Sequence, residues 1–435
     1  MEPLFAARLQ MGFSLGFHMV FAAIGIGLPL LMALSEWRWL RTGLSHYRDL
    51  AVVWSKAAAL TFVIGAVSGT ALSFELGLSW PHFMGVAGGT IGPAFALEGF
   101  AFFIEAIFLG LYVYGWKRLS PRAHWLSGVV VAFSGMMSGV LVVAANAWMQ
   151  NPVGAQVQAD GTITATPWAL FTNPSWFVLS LHSTLACYSA TGFAVTGVYA
   201  LRWLRGRRDA YVRSAITLGM LVGGIATSMQ PIAGDLCAQL VSKNQPAKLA
   251  AMEAHFTTER GAPLIIGGWP DVEGRTVHGG IAVPRMLSLL VHHDPDAEVV
   301  GLDRIPRDQW PNVVVCHVAF QTMVAAGMAM IAVFAWYLIA RRRNRLDPGR
   351  GLHRTLLLIS PLGFIALEAG WIVTEVGRQP WIINGLMRTS QAVTPDPSVV
   401  FTCIAFIALY LLLGWVLVES LRRLGRGEAG AGHGS

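Results

Sequence analysis

Nine long apolar runs punctuate the chain, near 12–34, 52–74, 94–116, 124–147, 176–203, 214–234, 313–340, 354–376 and 398–420. Each is long enough to cross the hydrocarbon core of a bilayer as a helix, which takes about 20 residues. Short polar segments separate them, with one exception. Residues 235–312 form a long mixed segment, more than a connection needs. The pattern there predicts one helix over 246–258 (PAKLAAMEAHFTT), followed by Gly/Pro-rich turns. The C-terminal stretch GRGEAGAGHGS is Gly-rich, and 426–435 is predicted to be disordered. No repeat of 20–50 residues is visible. The fold class is therefore an all-α polytopic membrane protein with about nine transmembrane helices. Residues 1–425 form one domain, and the 235–312 loop is inserted between spans six and seven.

Composition strengthens this picture. Hydrophobic residues make up 54% of the 435 and charged residues 13%, with a mean hydropathy of +0.54. A soluble chain of this size needs more charge to cover its surface. Many of the 16 Trp stand near span ends, as an interfacial belt requires. Charge also sets the orientation. With the N-terminus outside, alternate loops hold 21 of the 31 basic residues, among them Arg38, Arg41, Arg48, Lys117, Arg205 and Arg345. The short loops 75–93 and 148–175 hold none. This is the positive-inside pattern, and it puts the C-terminus in the cytoplasm. The net charge of +7 is then a topology signal, and nucleic-acid binding is not expected. The first residues lack a basic n-region and a cleavage site, so they read as the entry to span one. Cys187, Cys237, Cys316 and Cys403 have no CxxC spacing, which argues against zinc and iron–sulfur sites.

The candidate chemistry lies inside the spans. In LEGFAFFIEAIFLG (97–110), Glu98 and Glu105 are seven residues apart, close to two helical turns, and share one face. Glu368 and Glu375 repeat this spacing in span eight. Carboxylates in lipid are costly and mark functional sites by default, although burial in the protonated form or pairing with Arg8 or Arg378 would also account for them. His18 in span one, His182 at the head of span five and Met323 in span seven could ligate haem iron, as imidazole and thioether do. His317 lies six residues before Met323. Singly, such residues are as readily structural. Under the predicted topology, however, His18, Glu98, His182, Met323 and Glu375 fall at similar depth near the outer face. Packing alone does not predict that, and it suggests one redox or binding layer beside the long loop. In that loop Lys248 and Glu253 are five apart, about 140° around a helix, so they can point at different partners.

The chain resembles subunit I of the cytochrome bd-type quinol oxidases. The resemblance is carried by RLQ (8–10) with FHMVF (17–21), GPAFALEGFAFFIEAIFLG (92–110), NAWMQNP (146–152), the His182 segment, KLAAMEAHF (248–256) and EAGWIVTEVGRQPW (368–381). It implies three haems: a low-spin haem b held by His182 and Met323, and two high-spin haems with His18 and Glu375 as axial ligands. These would be a haem b and either haem d or a further haem b. It implies that Glu98 and Glu105 carry protons, with Glu375 counted among the catalytic groups. Lys248 and Glu253 would bind quinol, and Arg8, Asn146, Trp371 and Arg378 would surround the haems. The implied reaction oxidises quinol at the outer face of a bacterial cytoplasmic membrane and reduces dioxygen to water. Implied partners are a second membrane subunit and, in some assemblies, a small single-helix subunit.

The chain also departs from the pattern. The two span-three carboxylates are seven apart where the best-known members have eight. Gln321 stands where many members carry Arg, and Glu75 lies two positions beyond the usual carboxylate, at whose place stands Ser73. These features, with SFELGLSWPHF (73–83), resemble the cyanide-insensitive branch. Three rival readings exist. A proton-coupled transporter would show inverted repeats and broken helices, and neither is evident in the sequence. A haem b electron-transfer subunit would leave His18, Glu98, Glu105 and Glu375 without a role. An inactive relative would not need every candidate ligand.

Overall fold

The computed structural model describes residues 2–159, 162–343 and 350–431, with side chains to 423 in the last segment. Among the described residues, nine helices are long and apolar enough to cross a membrane. They are α1 (Pro3–Thr42), α2 (Ser45–Ser79), α3 (Pro81–Gly115), α4 (Pro121–Gln150), α5 (Pro174–Leu204), α6 (Ala210–Asn244), α7 (Val313–Arg342), α8 (Arg350–Val376) and α9 (Val399–Ala431). Polar caps extend several beyond their apolar runs. The side chains of Asn173, Asp209 and Asn312 accept from the backbone N–H of Ser175, Val212 and Val315, closing the starts of α5, α6 and α7.

The structure redraws four boundaries. α6 continues through Asp235–Asn244, assigned above to the loop. Its last turns are polar, yet Val241 packs inward against Leu249, Leu287 and Met252. The helix predicted over 246–258 spans only Pro246–Met252. Ala254 adopts φ 49, a left-handed conformation that an L-residue helix cannot pass through. α8 is broken at Ser360-Pro361, between helical segments Arg350–Ile359 and Leu362–Val376, although no broken helix was evident from the sequence. Residues 426–431, predicted to be disordered, are helical. Residues 432–435 and Arg345 lie outside the described residues.

α1 and α5 form the centre. α1 packs on α2, α4, α5 and α9, and α5 on α1, α4, α6 and α8. Backbones meet closely around α5. A Cβ on Gly192 would stand 2.5 Å from the Gly223 nitrogen of α6, and one on Gly363 of α8 would stand 2.5 Å from the Ala190 Cα. One end of the bundle is built on Trp54, Tyr112, Trp203, Tyr211 and Tyr337. Arginines cover it, with Arg48 over Trp39 and Trp116 and Arg208 over Trp203. This is the basic end. The other end, built on Trp80, Phe83, Trp148, Leu170 and Ile383, carries the long loop. There, three antiparallel strand pairs form: 259–260 with 298–299, 264–266 with 281–283, and 269–271 with 276–278. Strand Trp269–Asp271 rests on α7, and the helix Met286–His292 rests on α6. Phe100, Phe103 and Ile107 of α3 and Phe401, Leu411 and Trp415 of α9 are exposed, as a lipid-facing surface would be.

Candidate functional site

α8 joins most of the candidate residues. At its C-terminal end Glu375 accepts a hydrogen bond from Asn146 Nδ2 of α4 at 2.8 Å and is ion-paired with Arg378. Arg378 is 5% exposed, and its Nε and Nη1 have no hydrogen-bond partner. A buried guanidinium with two idle donors is costly unless an anion completes it. Two turns earlier, Glu368 and Trp371 face Gly16 of α1, so that a Cβ there would lie 3.4 Å from Glu368 Oε2 and 3.8 Å from the Trp371 ring. Gly16 is two residues from His18. The upper part of α8 and the His18 turn of α1 are therefore neighbours.

The Ser68 hydroxyl lies 2.9 Å from His18 Nδ1 and 3.1 Å from the Gly65 carbonyl. With Ser68 donating to that carbonyl, its oxygen accepts from Nδ1 and leaves Nε2 the lone pair that a metal would need. Gly69 gives the ring its room, since a Cβ there would lie 3.1 Å from Cε1. On α5, His182 is held through its backbone carbonyl, which accepts from Gln230 Nε2 of α6 at 3.1 Å, while its Nδ1 has no partner. On α7, the Met323 sulfur faces Gly370 of α8, where a Cβ would be 2.9 Å away. α8 packs against both α5 and α7 and so lies between the two helices that carry His182 and Met323.

His317 is not available as a ligand. Its Nδ1 lies 2.9 Å from the Met252 carbonyl and its Nε2 3.1 Å from the Gly267 carbonyl, so it fastens the loop to α7. Gln321, one turn on, does the same. It accepts from Gly267 N at 2.9 Å and donates to Ile265 O at 3.0 Å. Glu105 of α3 is buried against Gly135 of α4, whose Cβ would come within 3.1 Å of the carboxyl. Glu98 is half-buried two turns above it. Arg8 is exposed on the first turns of α1. Glu75 is fully buried on α2.

Lys248 and Glu253 are both 5% exposed. Burial pushes the Glu253 carboxyl up to about 8, and its Oε2 has no partner. Burial pushes the Lys248 ammonium down to about 8, against the opposing pull of Glu375. Lys248 Nζ donates to Gln150 Oε1 and to the Thr374 carbonyl, both at 3.0 Å. Gln150 also donates to Thr374 O at 3.2 Å and accepts from Gln245 Nε2 at 2.8 Å. Sequence reasoning missed Gln150, Gln245, Ser68 and Gln230. Gln150 lies inside NAWMQNP, and a glutamine directly after the apolar run was the available signal.

Imidazoles with open nitrogens, a thioether and a buried cationic anchor on neighbouring helices fit haem. With the nine apolar spans of the described residues around them, they suit the class of haem-binding membrane proteins. The chain matches the family described as "Cytochrome bd terminal oxidase subunit I" over residues 6–429. It is 31% identical to "Cytochrome bd ubiquinol oxidase subunit 1" of Bacillus subtilis (strain 168), covering 96% of this chain and 92% of that one. It is 28% identical to "Cytochrome bd-II ubiquinol oxidase subunit 1" of Escherichia coli (strain K12), covering 96% of each. Among solved structures it is similar to the bd oxidase from Geobacillus thermodenitrificans, with a TM-score of 0.93, 34% identity and 98% of each chain covered. The chain belongs to the cytochrome bd terminal oxidase subunit I family. It is a respiratory oxidoreductase subunit of a bacterial membrane that binds haems and works with a second subunit.

Proposed function

We propose that this chain oxidises membrane quinol at its loop end and reduces dioxygen to water within the bundle, separating charge across the membrane as it does so. The observation that carries the reading is the Asn146–Glu375–Arg378 cluster with its two idle guanidinium donors. His182 and Met323 would hold a low-spin haem b, and His18 and Glu375 two high-spin haems, with Arg378 offsetting propionate charge. When bound, the haems supply one-electron transfer and dioxygen reduction.

The rest of the work falls to side chains. Glu253 takes a proton from quinol, since a carboxyl raised to about 8 is matched to a weakly acidic hydroxyl near neutral pH. Glu105, and beyond it Glu98, pass protons from the basic end toward the site. Electrons enter at the loop end and protons arrive from the basic end, so charge separates without a pump. The basic end faces the cytoplasm by the positive-inside rule. Gln321, with the span-three spacing, supports placement in the cyanide-insensitive branch.

The test is a reduced-minus-oxidised optical spectrum of the purified complex, with and without carbon monoxide. The expected result is a low-spin b signal together with a high-spin signal that carbon monoxide alters. A chlorin band in the far red would assign haem d, and its absence a third haem b. A folded complex with no haem signal would overturn the proposal.

A further inference from the structure

The basic end holds a buried titratable cluster that the reaction described above does not use. Glu36 of α1 is fully buried and His124 of α4 is 2% exposed. His124 Nδ1 lies 2.7 Å from Glu36 Oε1, and His124 Nε2 lies 2.8 Å from the backbone carbonyl of Tyr112 on α3. A carbonyl can only accept, so Nε2 carries a hydrogen. The remaining proton is shared between Nδ1 and the carboxyl. The Tyr112 side chain, also fully buried, faces Glu36. Its hydroxyl and the second oxygen of Glu36 have no partner other than each other.

Tyr112 continues a stripe already described. Glu98, Glu105 and Tyr112 are spaced by seven residues and lie on one face of α3. α4 runs antiparallel beside it and presents glycine at the matching places. A Cβ on Gly128 would stand 2.6 Å from the Tyr112 ring, and one on Gly135 would stand 3.1 Å from the Glu105 carboxyl. On α3, side chains tilt toward the N-terminus, so Tyr112 leans toward Glu105. His124 lies one turn from the exposed segment 120–123 at the start of α4. The ion pair alone would serve as a clamp, and the Tyr112 hydroxyl set against the second carboxyl oxygen extends it along the stripe that leads to Glu105.

We propose that His124, Glu36 and Tyr112 form a proton relay that feeds Glu105 from the basic end. With Glu36 ionised, a proton on Nδ1 passes to Glu36 Oε1. The carboxyl turns about its Cγ–Cδ bond and gives that proton to the Tyr112 oxygen as the Tyr112 hydroxyl releases its own proton toward Glu105, which leaves Glu36 ionised and Nδ1 open to the next proton. The interval along α3 is about 10 Å, two helical turns, and the transfer across it requires a water. No electron moves, and each group regains its starting form with the next proton. The relay rests on the reading of Glu105 as a proton carrier.

The test uses the complete oxidase, with its second subunit, in proteoliposomes supplied with quinol. Haem content and optical spectrum are recorded for every variant. Tyr112→Phe keeps the ring packing, and Glu36→Gln keeps a hydrogen-bonding group opposite His124. Both are expected to lower turnover by about tenfold or more at full haem content and to raise the solvent isotope effect on turnover. His124→Ala should fall similarly and regain activity with imidazole at concentrations that leave the parent enzyme unchanged. Parent-like turnover in Tyr112→Phe and Glu36→Gln would overturn the relay. So would a loss confined to haem content or assembly in all three, which a structural clamp predicts. Glu105→Gln, measured alongside, separates the two ideas. If it turns over like the parent, the Glu105 reading itself fails; if it is inactive while the other three are active, only the relay fails.

Discussion

The Lys248 ammonium and the Thr374 carbonyl are 3.0 Å apart, and Thr374 is the residue before Glu375. The loop expected to receive quinol is thus fastened to the helix end expected to hold a haem. Lys248 is spent on this contact and on Gln150. Lys248→Met removes two charge-assisted donations, while Gln150 Nε2 still reaches the Thr374 carbonyl and Gln245 Nε2 still reaches Gln150 Oε1, so the cost is about 1–3 kcal/mol in all. A lower thermal midpoint and a shifted spectrum of the Glu375-bound haem are expected. A change in the KM for quinol alone, at a parent-like spectrum, would show that the contact with α8 does not matter.

Glu253 sets a pH dependence with a definite sign. Its carboxyl is raised by burial from 4.5 to about 8. Proton abstraction needs the ionised form, so quinol oxidation should rise with pH through about 8 and level off above it. Stability runs the other way. The folded form holds the proton more tightly than the unfolded chain, so the stability present below pH 4.5 is lost as pH rises through about 8. Glu253→Gln should flatten both profiles, read from quinol-dependent oxygen uptake and from thermal melts.

Gly370 protects the Met323 sulfur. Gly370→Ala places a methyl 2.9 Å from it. The thioether must turn away, at about 1–3 kcal/mol of overpacking. Loss of the low-spin signal is expected, with the high-spin bands retained. An unchanged spectrum would mean that Met323 is not a ligand.

Gln321 both accepts from and donates to the loop. Gln321→Arg supplies donors only, so Gly267 N loses its partner. The strand pair 264–266 with 281–283 should become more sensitive to protease, at a cost of about 1–3 kcal/mol. Gln321→Leu should show the same sensitivity, because it too lacks an acceptor.

Much of the frame was legible because a bilayer imposes a length and a hydropathy on every crossing, and the runs at 12–34 or 124–147 satisfy both. The seven-residue spacing of Glu98 and Glu105 was equally plain. The boundaries were not. Residues 235–244 are polar, and only the tertiary packing of Val241 shows why they stay helical. The break at Ser360-Pro361 sits in an apolar run that hydropathy reads as continuous. Of the site, the imidazole and carboxyl side chains stood out because they are rare in lipid, while the ligand role expected of Met323, one of 16 Met, rests on the family resemblance. Their partners did not stand out. Ser68, Gln150 and Gln230 are ordinary polar residues until the helices that face them are known.

Gly192 and Gly223 meet at backbone distance, as do Gly363 and Ala190. α5 is therefore keyed to α6 and α8 like a rail between two guides. A slip by one residue would drive a side chain into a neighbour's main chain. The mutual spacing of His182, Gly370 and Glu375 is thus set by main-chain contact. Electron tunnelling is steeply sensitive to distance, and with haems held as proposed that distance would be inherited from hydrogen atoms where side chains would otherwise be.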